Sequence, residues 1–281
     1  MTDGPRTTAE NAQLALLLEV SSTPKPGNVD RHHDYPDLRF EHFVAGAVGA
    51  REGLDVAAEG APVGEAFERA VAGMSDQTGG NTQFGAVLLV VPLVRAAAAG
   101  ELTAAGARAV VGRTTVEDAV GFYRAFEHVD VAVDDPPADL ALPDVREGAD
   151  AAPELRERGL TFADVMRESA PGDGIARELS EGFERTFRTA DRIAGGDGPV
   201  TVRAAEAYLA ELAAEVDTFV VTNHGRETAE EVRRRAQAAR DGEEAPEALA
   251  DELVDRGINP GTTADLVAGG LFVALERGLV V

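Results

Sequence analysis

Apolar residues recur along this chain at helical spacing, and strand-like alternation is nearly absent. Thr7-x-x-Glu10 has the form of a capping box. Behind it, Ala12 to Val20 is apolar on nearly every side apart from Gln13 and Glu19, which predicts a buried helix. Phe40, Phe43, Val44, Ala47 and Val48 open a second amphipathic helix, and a third runs from Val63 to Met74. Phe84 to Val94 is the most apolar segment, too short and too interrupted by Pro92 to span a bilayer. Thr115 opens a further helix through Glu117, Val120, Phe122, Tyr123 and Phe126.

From Asp130 to Pro153 the chain is rich in Pro, Asp and Ala and loses its periodicity, so a long surface connection is expected, with a short strand at Val129 to Val133. Helical patterns then resume at Thr161–Glu168, Ile175–Ala194, Val202–Val220, Glu227–Arg240, Pro246–Arg256 and Thr262–Glu276. The pattern as a whole predicts an all-α protein, a single multi-helix bundle of about ten helices over residues 1–281.

Charge narrows the list of partners. Against 50 acidic side chains stand 26 basic ones, a formal net charge of −24, which repels nucleic acid and anionic membranes. Low lysine, abundant Asp and Glu and Ala-rich runs suggest adaptation to high salt, where self-repulsion is screened. An ordinary acidic protein is the alternative. With no cysteine there is neither disulfide nor thiolate chemistry. Met1 to Arg6 lacks the basic start and apolar run of a signal peptide, so a cytoplasmic protein is expected.

One stretch concentrates charge. Glu19 to Asp37 holds the chain's only lysine, Lys25, with Arg31, His32, His33 and the carboxylates Glu19, Asp30, Asp34 and Asp37. Pro24 and Pro26 disfavour helix at Thr23 and Lys25, predicting a stiff extended loop. Glu19 falls in the last turn of its helix with no helical cation beside it, so Lys25 or a metal ion is expected to compensate it. Further on, Gly79-Gly80-Asn81-Thr82 leads into a helix N-terminus, where free N–H groups can receive phosphate.

Three segments stand out together: Glu19-Val20-Ser21-Ser22-Thr23-Pro24-Lys25-Pro26-Gly27-Asn28-Val29-Asp30-Arg31, Gly80-Asn81-Thr82-Gln83-Phe84-Gly85-Ala86, and Asn259-Pro260-Gly261-Thr262-Thr263-Ala264-Asp265-Leu266. In this order they resemble the triphosphoribosyl-dephospho-CoA synthase family. Asp217-Thr218, ahead of Asn223-His224-Gly225, is a looser fourth. The resemblance implies an all-helical fold and a glycosyl transfer in which ATP gives up adenine and its triphosphoribosyl group passes to the ribose 2′-hydroxyl of dephospho-CoA. Two positions depart from the family's pattern: Gln83-Phe84 stands where His-Lys is usual, and Asn28 where bacterial members tend to have leucine.

That chemistry implies roles. Breaking the bond to adenine develops oxocarbenium character, which calls for a nearby carboxylate, a base for the hydroxyl and an acid for the purine. Glu19 and Asp30 are the leading carboxylates, and His33 or Asp34 could be acid or base. Lys25 and Arg31 would hold phosphates, Asn81 and Thr82 would orient the donor, and Gly261 and Thr262 would offer a helix N-terminus. Mg²⁺ is expected with the nucleotide, with Asp30 and Asp265 as ligands. Thr262-x-x-Asp265 also reads as a helix cap, His-His-Asp as a surface turn, His224 as a helix-ending residue and Arg233-Arg234-Arg235 as a solvated face. Three rivals stay open: transfer to another coenzyme precursor, a metal-dependent nucleotide hydrolase, and an inactive nucleotide-binding protein.

Overall fold

Two helices with apolar residues on every side form the middle of the molecule, and amphipathic helices wrap them. The structure, a computed structural model, describes residues 6–131 and 142–281. In chain order, α1 (Thr8–Ser21), α2 (Phe40–Gly49), α3 (Arg51–Glu59) and α4 (Val63–Met74) lead to α5 (Phe84–Ala98). Next come α6 (Ala104–Gly112), α7 (Val116–Ala125), a 3-10 helix (Val145–Ala151), α8 (Ala152–Arg158), α9 (Phe162–Ser169), α10 (Gly174–Glu181) and α11 (Glu184–Gly195). The chain finishes with α12 (Val200–Ala214), α13 (Thr218–Arg240), α14 (Pro246–Asp255) and α15 (Gly261–Glu276).

Helix α15 packs against α1, α5 and α11, and α5 also meets α3 and α4, so these two helices carry the main core. A smaller core of Val20, Val29 and Phe43, with Tyr35, Leu38 and Phe40 around it, lies under the loop between α1 and α2 and fixes it to the bundle. The all-α fold class holds, and the expected capping box at Thr7 forms in full, as do those at Thr115 and Thr161. Among the described residues no helix is long and apolar enough to cross a membrane.

The helix count exceeds ten for identifiable reasons. The pattern over Ile175–Ala194 is broken by Gly182 and Phe183, both at positive φ, which separate α10 from α11. Val202–Val220 is also two helices, because Asp217 caps a new one instead of continuing the old. The Ala-rich α6 and the polar α3 went unread, having too few large apolar residues to show a period. The expected connection at 130–153 is helical from Val145 onward. The strand expected at Val129–Val133 is absent at Val129, which lies in a bend, and its residues from 132 lie outside the described residues.

Candidate active site

The proline-braced loop is a clamp. Lys25 is fully buried, its ammonium paired with Glu19 and donating to Asn28 Oδ1 at 2.8 Å. Asn28 Nδ2 in turn donates to Asn259 Oδ1 at 2.8 Å, linking the loop to the turn before α15. Tyr35 and Tyr208 hydroxyls donate to the carbonyls of Gly27 (2.5 Å) and Pro26 (2.9 Å). Gly27 has φ +78°, and a Cβ there would meet Ile258 O at 2.2 Å, so only glycine lets the loop lie this close to residues 258–260. Burial raises the Glu19 carboxyl above its ordinary range, while the Lys25 charge pulls the other way.

Asp30 is wholly enclosed by its own loop. It accepts from the backbone of Lys25 (3.2 Å), His32 (2.8 Å) and His33 (3.1 Å) and lies 2.9 Å from His33 Nδ1. His33 Nε2 reaches Asp251 on α14 at 3.1 Å. Asp34 Oδ1 accepts from the Phe40 amide at 2.7 Å at the start of α2. Arg31 is exposed.

A second cluster joins three helix starts. Asp217 Oδ1 caps α13 through the amides of Phe219 (2.9 Å) and Val220 (3.1 Å). Its Oδ2 accepts from the amide and hydroxyl of Thr263 in α15, both at 2.7 Å. Thr218 Oγ1 lies 3.0 Å from Thr262 Oγ1 and accepts from the Gly174 amide that opens α10 at 3.0 Å. Asp173 caps α10 through Ile175 (2.7 Å) and Ala176 (3.1 Å). The start of α5 completes the ring: Asn81 Oδ1 accepts from the Phe84 amide, and Gly85 lies flat against Asp265, where a Cβ would come within 2.0 Å of Oδ2.

These pieces enclose a cavity of about 950 Å³. Glu19, Asn28, Asn81, Thr82, Thr218, Asn259, Gly261, Thr262 and Asp265 line it, with Asp173 beside them. The Asp265 carboxyl is pushed well above the usual carboxylate range by desolvation, then by the negative charges of Glu19, Asp217 and Asp173. The cap expected of Thr262-x-x-Asp265 does not form: α15 has no side-chain cap, and Thr262 Oγ1 accepts from the Phe219 amide instead.

Of the residues read from the sequence, Glu19, Asn81, Thr82, Gly261, Thr262 and Asp265 meet at this cavity. Asp30, His33, Asp34 and Arg31 do not reach it, and Lys25 lies behind Glu19 and Asn28 with its charge already engaged. Asp173 and Thr218 were missed as site residues, although Asp before Gly-Ile and Asp-Thr before an apolar run are both helix-start signals. Among the described residues no basic side chain lines the cavity, and residues 132–141 contain none in sequence. The positive ends of α5, α10, α13 and α15 are what the wall offers an anion. Among the described residues no group of three His, Asp or Glu is placed to hold a metal ion unaided. His224 bonds the Gly257 carbonyl, and Arg235 pairs with Glu244 and Glu252, so both fit their structural readings.

An all-α bundle that turns four helix starts and several acids onto one cavity defines a small-molecule enzyme for a phosphate-bearing substrate. The model of the ATP:dephospho-CoA triphosphoribosyl transferase family matches residues 5–280, and the chain belongs to that family. The crystal structure of an Archaeoglobus fulgidus protein assigned as a triphosphoribosyl-dephospho-CoA synthase is 31% identical, with a TM-score of 0.70 over 85% of this chain and 99% of that one. No curated protein sequence matches the chain. The protein is thus a transferase of coenzyme biosynthesis that uses ATP and dephospho-CoA.

Proposed function

We propose that the transfer takes place between Glu19 and the junction of α10, α13 and α15, with Asp265 as the acid. The observation that carries this reading is Asp265 itself: a carboxyl wedged against Gly85 in the cavity wall, held toward the protonated form by burial first and then by three other acids. A neutral carboxylic acid beside the donor can give its proton to adenine as the C1′–N bond breaks. Glu19, anchored by Lys25, stabilises the positive charge that develops on the sugar. The 2′-hydroxyl of dephospho-CoA forms the new C1′–O bond and gives its proton to Asp173, the carboxylate beside the helix starts. Triphosphate lies toward the N-termini of α5 and α15, where Asn81 accepts from the first amide of α5 and Thr262, in the first turn of α15, accepts from the Phe219 amide of α13.

Magnesium fits this wall as part of the nucleotide rather than as a resident ion. Asp173 and Glu19 are the carboxylates that would hold such an ion, and its charge would offset phosphate charge that no basic side chain lining the cavity can. The acid excess, in a chain whose single lysine is buried, supports a protein that works in high salt.

The test is direct: incubate the protein with ATP, Mg²⁺ and dephospho-CoA in high salt and measure free adenine together with the mass of the product. Adenine release that needs the acceptor and disappears in Asp265→Asn supports the assignment. Phosphate or pyrophosphate without free base would select the hydrolase instead.

A further inference from the structure

The cavity has two chemically different ends, and consecutive residues of α5 join them. Gly85 touches Asp265 at the acidic end. Phe84, one residue earlier, enters a ring cluster, with Phe126 at 4.9 Å and Phe122 at 6.5 Å between centroids, and those two at 5.3 Å from each other. Leu142 and Met166 extend this wall of the same cavity. The residue that replaces the family's usual cation therefore belongs to an apolar surface.

Resting on the transferase reading above, the parts of the two substrates can be sorted by chemistry. The departing adenine takes up a proton as it leaves, which the reading above draws from Asp265 beside Gly85; the further acids of the lining, Asp130, Asp144 and Glu168, repel phosphate rather than hold it. Triphosphate and diphosphate would lose hydration against the rings with nothing to replace it. One part of either substrate is long, uncharged and rich in methyl and methylene groups: the pantetheine arm of dephospho-CoA. Its burial against aromatic rings is favourable in proportion to the apolar area covered. We infer that the Phe84–Phe122–Phe126 end of the cavity is the subsite for the pantetheine arm of the acceptor, and that this subsite selects the acceptor.

Phe126 is half-buried at the edge of the cluster, so it can be changed without emptying the main core. The experiment measures equilibrium binding of dephospho-CoA and of ADP, which shares the adenosine and diphosphate but has no arm. Binding is measured by calorimetry for the wild-type protein, Phe126→Ala and Phe126→Asp. The wild type should favour dephospho-CoA by about 10-fold or more, and the preference should fall to about 3-fold or less in Phe126→Asp, with Phe126→Ala between. Equal affinity of the wild type for both ligands, or a preference unchanged in both folded variants, overturns the subsite. Adenine release is followed in parallel. Its absence beside an intact and Phe126-dependent preference removes the catalytic roles given above and leaves the subsite standing.

Discussion

The loop around Lys25 and the junction around Asp265 are both dense in charge, yet they do opposite things with it. In the loop the buried charges have partners inside the protein: Lys25 with Glu19, and Asp30 with three backbone amides and the His33 ring. At the junction Asp265, Asp217 and Asp173 approach one another with no cation among them, and hydrogen bonds from helix starts do the compensating. The first arrangement lowers the energy of one fold. The second leaves a desolvated carboxyl within the field of other acids, a perturbation that clusters at functional sites. On the proposed reading, density of charge in sequence locates mostly architecture here, Glu19 excepted, and lack of neutralisation in space locates chemistry.

The sharpest way to break this comparison is Asp265→Asn. If the junction holds the acid, kcat falls by about 10²–10⁴-fold, the range for losing a positioned proton donor. Stability moves the other way. The folded state holds the Asp265 proton more tightly than the unfolded chain does, so the stability this proton contributes is complete below the ordinary Asp pKa and is lost as pH rises through the raised value. Asparagine removes that loss. Tm of the variant should exceed wild type at neutral pH, and the gap should close on acidification. Wild-type activity should decline as pH rises through the same raised value. A variant that is slower and also less stable at pH 7 would put Asp265 among structural residues.

In the loop, Lys25→Met should cost stability together with activity. It strands the Glu19 carboxylate in a buried site, a loss of about 3–5 kcal/mol read from denaturant unfolding. Adding Glu19→Gln should return part of that stability, since the uncompensated charge is gone, while activity stays lost. Comparable stability in single and double variants would mean that the pair is not what anchors the clamp.

Much of this division was legible beforehand, and the part that was not has physical causes. The helix starts at Thr7, Thr115 and Thr161 were readable because capping is local: four residues contain the whole motif. The partnership of Glu19 with Lys25 was readable because a buried acid needs a cation and the chain supplies a single lysine nearby. Asp30 and His33 do not line the cavity, which the sequence could not show, because proximity along the chain cannot say which way a turn closes. This turn closes on itself, with Asp30 accepting from His33. Asp173, Thr218 and Thr262 meet across three separate helix starts, and no local pattern reports a contact between positions 174, 218 and 262. Phe84 stood out only as a departure from the family's usual His-Lys, and the ring cluster it joins became visible only when Phe122 and Phe126 came into reach.

A smaller effect tests how the two helix starts at the junction are tied. Thr263→Val keeps shape and burial and removes one hydroxyl donor to Asp217 Oδ2, leaving the Thr263 amide and the α13 cap in place. Hydrogen bonds to a charged group contribute about 1.5–3 kcal/mol, and the surviving bonds to Asp217 should hold the loss near about 1.5 kcal/mol. Catalysis should suffer less than in Asp265→Asn, because Thr263 touches Asp217 and no reacting group in the proposed arrangement. A fall in kcat as large as that of Asp265→Asn would instead make the Asp217–Thr263 link part of the reaction.

The smallest effect should come from Asp251→Asn, at the outer end of the chain that runs from Lys25 through Asp30 and His33. Asp251 is 73% exposed, so water solvates its carboxylate nearly as well with or without the histidine. Asparagine can still accept from His33 Nε2, and the inner bond from His33 Nδ1 to buried Asp30 is untouched. Unfolding free energy should stay within about 0.5 kcal/mol of wild type and adenine release should be unaltered. If instead this exposed neutralisation slowed the reaction, charge on the surface of α14 would be reaching the cavity through the clamp. The loop could then no longer be set apart from the junction as architecture alone.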